Sequence, residues 1–253
     1  MRYDSFVSKS LKISRNKALE LIENKEVSLN SSFFKPSFNI KNYLLSIDKK
    51  SDLSEADLLN SELLKLELIK KIYVSRAAFK LKYFLNEIQL DLKDKICLDI
   101  GSSKGGFVEV LLENGVKKVV ALDVGSMQLD KSLRENLRVV CVENTDLRSF
   151  KSDLKFDFIS CDVSFISLLK LLEYINNFAK KDIILLFKPQ FELGIDAKRN
   201  KKGLCLDEKE IYRARENFEK ECKALCWNFK FSKASELRGK NGNIEYFYYY
   251  QKG

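Results

Sequence analysis

The chain contains no histidine, so mechanisms that turn on an imidazole are excluded: Ser-His-Asp and Cys-His hydrolysis, His-ligated zinc and HExxH chemistry. Lysine, carboxylate, tyrosine and cysteine are left as acid-base groups. Proline and glycine are scarce, at 2 and 10 of 253 residues, against a usual share of about 12% together. Long irregular segments are therefore not expected. The six cysteines form no CxxC pair, which fits a reduced, intracellular protein with structural thiols. The longest clearly aliphatic stretch is residues 183–187, and the N-terminal MRYDSFVSKS lacks the apolar core of a signal peptide. The sequence predicts a cytoplasmic protein with neither a leader nor a membrane span, and it suggests no metal site.

What the chain does have is enough apolar residues, 45%, to bury one good-sized core or a medium core plus a small one. Its positive charge is unevenly placed: residues 1–50 carry a net +5, residues 51–72 a net −2 and residues 73–253 a net +6. A polyanion is the natural partner of such a surface. Ser14 can cap a helix from Arg15 to about Asn24. A short strand at residues 27–29 and a second strand after Pro36 would complete a small α+β unit over 1–48. Residues 49–72 read as a linker helix, opened by Asp52, Ser54 and Glu55, with Leu59, Leu63, Leu66 and Lys70 at helical spacing.

After Tyr73, strand-like runs at 96–100, 118–123, 138–142, 156–162 and 183–187 alternate with amphipathic stretches near 106–114, 126–135 and 165–179. That alternation predicts an α/β fold with a doubly wound, Rossmann-like parallel sheet over residues 73–253. Two further runs, 228–232 and 244–250, flank the turn-like Gly239, Asn241 and Gly242 and read as an antiparallel pair at the sheet edge.

The first of these strands ends in Asp99, Gly101, Ser103, Gly105, Gly106 and Phe107, and the second ends in Asp123. Glycines there let backbone amides approach a ligand, and Asp123 is placed to accept hydrogen bonds from ribose hydroxyls. The pattern is not GxGxxG, which argues against a nicotinamide dinucleotide. An acidic residue ahead of the glycines suits a cofactor with a positive amino acid end, and S-adenosyl-L-methionine fits. Asp146 and Leu147, after the third strand, stand where such folds contact adenine, although Asp146 could equally cap a following helix.

Four segments remain: YVSRAAFKL at 73–81, CDVSFIS at 161–167, KPQFE at 188–192 and GNIEYF at 242–247. With the glycine loop, DIGSSKGGF, they resemble the TlyA family, which joins an N-terminal RNA-binding domain of the ribosomal-protein S-four type to an FtsJ-like ribose methyltransferase. The resemblance covers about residues 1–48 and 73–248. It implies 2′-O-methylation of a cytidine in ribosomal RNA, with S-adenosylmethionine as cofactor and ribosomal RNA or a subunit as partner. It places the catalytic tetrad on Lys80, Asp162, Lys188 and Glu245. Lys188 in its neutral form would be the base, with Lys80 and the sulfonium favouring that form and the two carboxylates opposing it. Where the family commonly reads SRGG, this chain has Ser75-Arg76-Ala77-Ala78. Arg2, Lys9, Lys12, Arg15, Lys17 and Lys35 would meet RNA phosphates. The short termini suggest a large-subunit target only, and the expected state is a monomer or weak dimer. The alternatives are an RNA-binding assembly protein with a vestigial methyltransferase fold, and a haemolysin-like membrane-active protein.

Overall fold

The computed structural model describes every residue except 49–52, 70, 194–196, 198, 201–202, 206 and 240–241. Asp52, Lys70 and Asn241 thus lie outside the described residues. The chain divides into two units, Met1–Ile72 and Tyr73–Gly253.

In the first unit, α1 (Tyr3–Ser10), α2 (Arg15–Glu23), β1 (Val27–Leu29), α3 (Ile40–Ile47), α4 (Glu55–Leu59) and β2 (Leu66–Leu68) enclose an apolar core that includes Tyr3, Phe6, Ile22, Leu29, Ile40 and Leu44. Ser14 caps α2 as expected, its side chain accepting from the Lys17 amide. Two expectations are corrected. The residues after Pro36 form helix α3 rather than a strand: Asn39 caps it, and Ile40 and Leu44, one turn apart, bury the same face. Nor do the described residues of 49–72 form a linker helix. A Ser54–Asp57 capping box starts α4, but the helix stops after five residues and the chain returns as β2, antiparallel to β1 with Ser28 opposite Glu67. Leu58 and Leu64 are buried in the same core. The segment completes the small domain, because three strand residues of β1 without a partner could not satisfy their backbone groups.

The second unit is a seven-stranded sheet ordered β5-β4-β3-β6-β7-β9-β8. Its strands are β3 (Ile96–Ile100), β4 (Lys118–Leu122), β5 (Val139–Val142), β6 (Phe156–Cys161), β7 (Ala179–Phe187), β8 (Trp227–Ala234) and β9 (Tyr246–Lys252). The first five run parallel, while β9 is antiparallel to both β7 and β8. The doubly wound sheet with an antiparallel edge is therefore present as read.

Both faces are covered. Helices α5 (Ala77–Ile88) and α6 (Gly106–Glu113) pack on one side, with Leu81, Phe84 and Leu111 buried there; α8 (Leu172–Phe178) and α10 (Glu208–Ala224) pack on the other, with Ile175, Phe218 and Cys222. Strand β9 shows why a run such as FYYY is needed: Phe247 and Tyr249 enter the first core, and Tyr248 and Tyr250 the second. The expected helix near 126–135 shortens to α7 (Lys131–Arg134). Glu143 claims the segment before it, accepting from the amides of Met127, Gln128 and Leu129 at 2.7, 2.9 and 3.0 Å and from Arg134 at 2.8 Å. Those bonds hold the Glu143 carboxyl down at about 2, the Leu129 amide and Arg134 contributing most. The stretch near 165–179 breaks into a 3-10 turn (Leu168–Lys170) and α8.

The order of strands reverses at β3, which has β4 on one side and β6 on the other. Crevices beyond the carboxyl ends of strands at such a point are where open α/β sheets bind ligands.

Candidate active site

At the end of β3 the chain turns through Gly101, whose φ of +79° disfavours any side chain, and a Cβ there would meet the Asp162 carbonyl oxygen at 2.7 Å. This contact lets the ends of β3 and β6 close on each other, with the Asp162 amide donating to the Ile100 carbonyl at 2.9 Å. Gly105, at φ +91°, is the N-cap of α6. A Cβ on Gly106 would strike Ser75 Oγ at 2.2 Å and the Ala78 nitrogen at 2.8 Å. The bare glycine is what allows the start of α5, where Ala77 and Ala78 stand, to lie against α6.

Two adjoining cavities follow from this geometry. One, of about 350 Å³, is lined by Gly101, Ser103, Asp123, Asp146 and Leu147, together with Asp162. The other, of about 600 Å³, is lined by Asp99, Gly101, Ser103, Gly106 and Phe107, and reaches Lys80 and Lys188. The cofactor residues read from sequence are thus brought together, except that Gly105 lines neither cavity and acts through the backbone turn. Asp123 already holds the loop around it: its carboxylate accepts from the Ser103 amide at 2.8 Å and the Gly125 amide at 2.6 Å. Asp146 accepts from the Arg148 amide at 2.8 Å and takes a two-pronged pair with the Arg148 guanidinium at 2.9 and 2.8 Å, which lowers its carboxyl below the usual range. It orders a turn and not a helix.

Asp99 differs from both. It is 1% exposed, accepts from Ser160 Oγ at 2.7 Å through one oxygen, and its other oxygen has no hydrogen-bond partner. Burial pushes its carboxyl up to about 7, against the Ser160 hydrogen bond and with help from the charges of Asp162 and Asp123. An orphaned buried oxygen on the wall of a cavity is a place for a ligand cation. The ammonium of an amino acid end meets that need, and the nearby Asp123 and hydrophobic Leu147 suit ribose and adenine. The residues fit S-adenosylmethionine.

The tetrad residues come from four distant segments. Lys80, on α5, reaches Glu245 at 2.6 Å, and Lys188, just past β7, stands 2.5 Å from Asp162, just past β6. The Lys188–Asp162 contact is one of charge; the Lys188 hydrogen bond goes to Ser164 Oγ at 3.1 Å. Lys188 and Glu245 are 6% and 3% exposed, so water is largely kept from both pairs. Lys80, Lys188 and Glu245 line a third cavity, of about 550 Å³, with Ser164, Phe165 and Gln190.

The motifs CDVSFIS and KPQFE hold further residues to which the sequence by itself assigns no role. Phe165 is 91% exposed at φ +65°, with its ring 5.2 Å from that of Phe191. An exposed phenylalanine in a left-handed conformation is uncommon. Glu192 fixes that loop by accepting from Ser167 Oγ at 2.5 Å and the Leu168 amide at 2.8 Å.

In the N-terminal unit the basic candidates are not all equivalent. Arg2 and Arg15 share the buried Asp4 at 3.2 and 2.9 Å, Lys9 pairs with Glu55, and Lys17 with Glu20 at 3.0 Å. Burial opposes ionisation of Asp4, but the two guanidiniums outweigh it and lower its carboxyl. Lys12 and Lys35 are exposed, with no acidic partner among the described residues.

Comparison with known proteins agrees with this geometry. The FtsJ-like methyltransferase family matches residues 73–252. A Campylobacter jejuni protein, 23S rRNA (cytidine-2′-O)-methyltransferase TlyA, is 59% identical over 252 residues, covering 100% of both chains. A Mycobacterium tuberculosis relative, 16S/23S rRNA (cytidine-2′-O)-methyltransferase TlyA, is 38% identical over 70% of this chain and 68% of its own. A solved structure from Lactococcus lactis, 38% identical, superimposes with a TM-score of 0.69 over 73% of this chain and 90% of that one.

Proposed function

The chain belongs to the TlyA family of FtsJ-like methyltransferases, and from that premise we propose that it methylates the ribose 2′-hydroxyl of a cytidine in large-subunit ribosomal RNA. The methyl donor is S-adenosylmethionine. The observation that carries the reading is the pair of buried lysine–carboxylate contacts, Lys80–Glu245 and Lys188–Asp162, at the junction of the cofactor cavities with a third cavity able to take a nucleotide. The chemistry S-adenosylmethionine supplies is a methyl carbon already activated by its sulfonium, so the protein has to align a hydroxyl and remove a proton.

Lys188 Nζ must first give up the proton it carries beside Asp162, and in that neutral form it takes the proton of the 2′-hydroxyl. Asp162 and Ser164 hold that amine at the end of β7, and Glu245 holds the second lysine, Lys80, on the opposite wall. Phe165 and Phe191 offer ring faces on which an unpaired base can stack, a mode RNA readers use for single-stranded nucleotides. The N-terminal unit would then grip structured RNA through Arg2, Lys9, Lys12, Arg15, Lys17 and Lys35, acting mainly on phosphates. Asp4 keeps Arg2 and Arg15 side by side, a shared acid for two cations that leaves net positive charge. The rRNA substrate implies a cytoplasmic site of action. Among the described residues no helix is long and apolar enough to cross a membrane.

The large-subunit target is supported by the name of the C. jejuni relative, which matches over the whole chain. The test is direct. Each purified subunit from ribosomes lacking the modification is incubated with the enzyme and methyl-labelled S-adenosylmethionine. Label should enter large-subunit RNA at a cytidine 2′-oxygen. Comparable label in the small subunit overturns the target assignment, and label in neither, with cofactor bound, overturns the reaction.

A further inference from the structure

Gln190 stands two residues beyond Lys188, on the short helix α9 (Pro189–Glu192) that closes the end of β7. Its side-chain oxygen is buried and has no hydrogen-bond partner. A carbonyl oxygen in that state has lost its water without gaining a partner, so a buried unpaired acceptor in a cavity wall asks for a donor from outside the chain. The same residue lines the third cavity, beside Lys188 and Glu245, and also a neighbouring groove of about 830 Å³ behind Phe165 and Phe191. It therefore sits where the space beside the catalytic lysine passes into the space beside the two rings.

The other polar lining of the third cavity has partners. Ser164 Oγ receives the Lys188 ammonium, Glu245 receives Lys80, and Arg199 donates to the carbonyls of Ala197 and Leu193. Resting on the nucleotide reading above, we propose that Gln190 reads the target base, its side-chain oxygen accepting a hydrogen bond from the exocyclic amino group of cytosine. A nucleotide with its 2′-hydroxyl at Lys188 and its base against Phe165 and Phe191 brings the base edge to Gln190. To the oxygen as acceptor, cytosine offers an N–H donor. Uracil offers a carbonyl oxygen at the same position, which sets acceptor against acceptor. A site built to hydrogen-bond a group discriminates strongly against an analogue lacking it, and one good polar contact to a base edge suffices for a preference of about tenfold.

The experiment compares unmethylated ribosomes carrying either cytidine or uridine at the mapped target position, with wild-type enzyme, Gln190→Met and Gln190→Glu. Methionine keeps the length and removes the acceptor; glutamate keeps an acceptor oxygen. The wild type should favour cytidine by about tenfold in kcat/KM. Gln190→Met should lose activity on cytidine and hold or gain on uridine, where two opposed acceptors are relieved, bringing the ratio near one, while Gln190→Glu keeps the preference. Cofactor affinity should be unchanged in both variants, which excludes misfolding. An unchanged cytidine-to-uridine ratio in Gln190→Met overturns the proposal, and so does an equal loss on both RNAs, which would put the contact on the sugar. Failure of the wild type to methylate the cytidine ribosomes while binding S-adenosylmethionine is a different result; it overturns the proposed reaction, and the base-reading role with it.

Discussion

Asp99 should make cofactor binding depend on pH in a way that separates it from every other carboxylate in the site. Its carboxyl, buried and half unpartnered, is held up near 7 in the free protein, whereas an ammonium beside its free oxygen would favour the ionised form. Between pH 6 and 7 the α-amino group of S-adenosylmethionine is still mostly charged, since α-amino groups titrate near ~8. Binding at pH 6 must therefore strip close to one proton from Asp99, and the apparent Kd should weaken toward a limit of about tenfold per pH unit below 7, or ~1.4 kcal/mol. Isothermal titration at pH 5.5–8, repeated in buffers of different ionisation enthalpy, measures both the affinity and the proton. In Asp99→Asn the slope should vanish, with affinity at pH 7.5 down about tenfold or more through loss of a charged hydrogen bond.

The sign for stability runs the other way. A raised folded-state carboxyl contributes stability that is full below about 4, the unfolded value, and is lost as pH rises through about 7. Without cofactor, Asp99→Asn should thus have a higher Tm than the wild type at pH 8 and no such advantage at pH 4. A wild-type affinity that is flat below pH 7, or an equal slope in Asp99→Asn, would refute the assignment of the amino acid end to this residue.

Replacing Lys188 with Ala should abolish methyl transfer to RNA while leaving the S-adenosylmethionine Kd nearly unchanged, because the amine acts on the hydroxyl; single-turnover assays beside titration would check this, and near-wild-type turnover removes it from the mechanism. Deletion of residues 1–72 should preserve cofactor binding and eliminate rRNA methylation, whereas deletion of 1–48 leaves Leu58, Leu64 and β2 without their core and should yield an aggregation-prone protein by light scattering. Asp182, fully buried, accepts from Lys95 at 2.7 Å, Tyr249 at 2.8 Å and Gln251 at 2.9 Å. Asp182→Ala should cost about 3 kcal/mol in urea unfolding at pH 7. Since burial opposes its ionisation but those three donors prevail and lower its carboxyl, the penalty should shrink only as pH falls below about 4.

The pattern of the chain alone determined the methyltransferase sheet, because strands buried on both faces need unbroken apolar runs and the crossover helices between them need one apolar stripe. It also put Asp99, Gly101, Asp123, Asp162 and Lys188 at strand ends on one side of the sheet, while the catalytic roles of Asp162 and Lys188 came from the family resemblance. Local signals were weaker where residues pair only after folding. The three residues of β2 carry no strand signature that outweighs leucines at helical spacing, and it is their register with β1 that makes 49–72 part of the first domain. Helix α10, mostly charged, buries only Phe218 and Cys222 fully, so its pattern is faint until the sheet lies beneath it. The two lysine–carboxylate pairs join residues 165 and 26 positions apart in sequence, and no spacing rule links them. The same holds for Phe165, Gln190 and Glu192. Whether a ring is exposed, or an amide oxygen unpaired, depends on how two segments meet beyond the carboxyl ends of β6 and β7, and that is settled by the packing of the whole unit and not by any residue's neighbours in the chain.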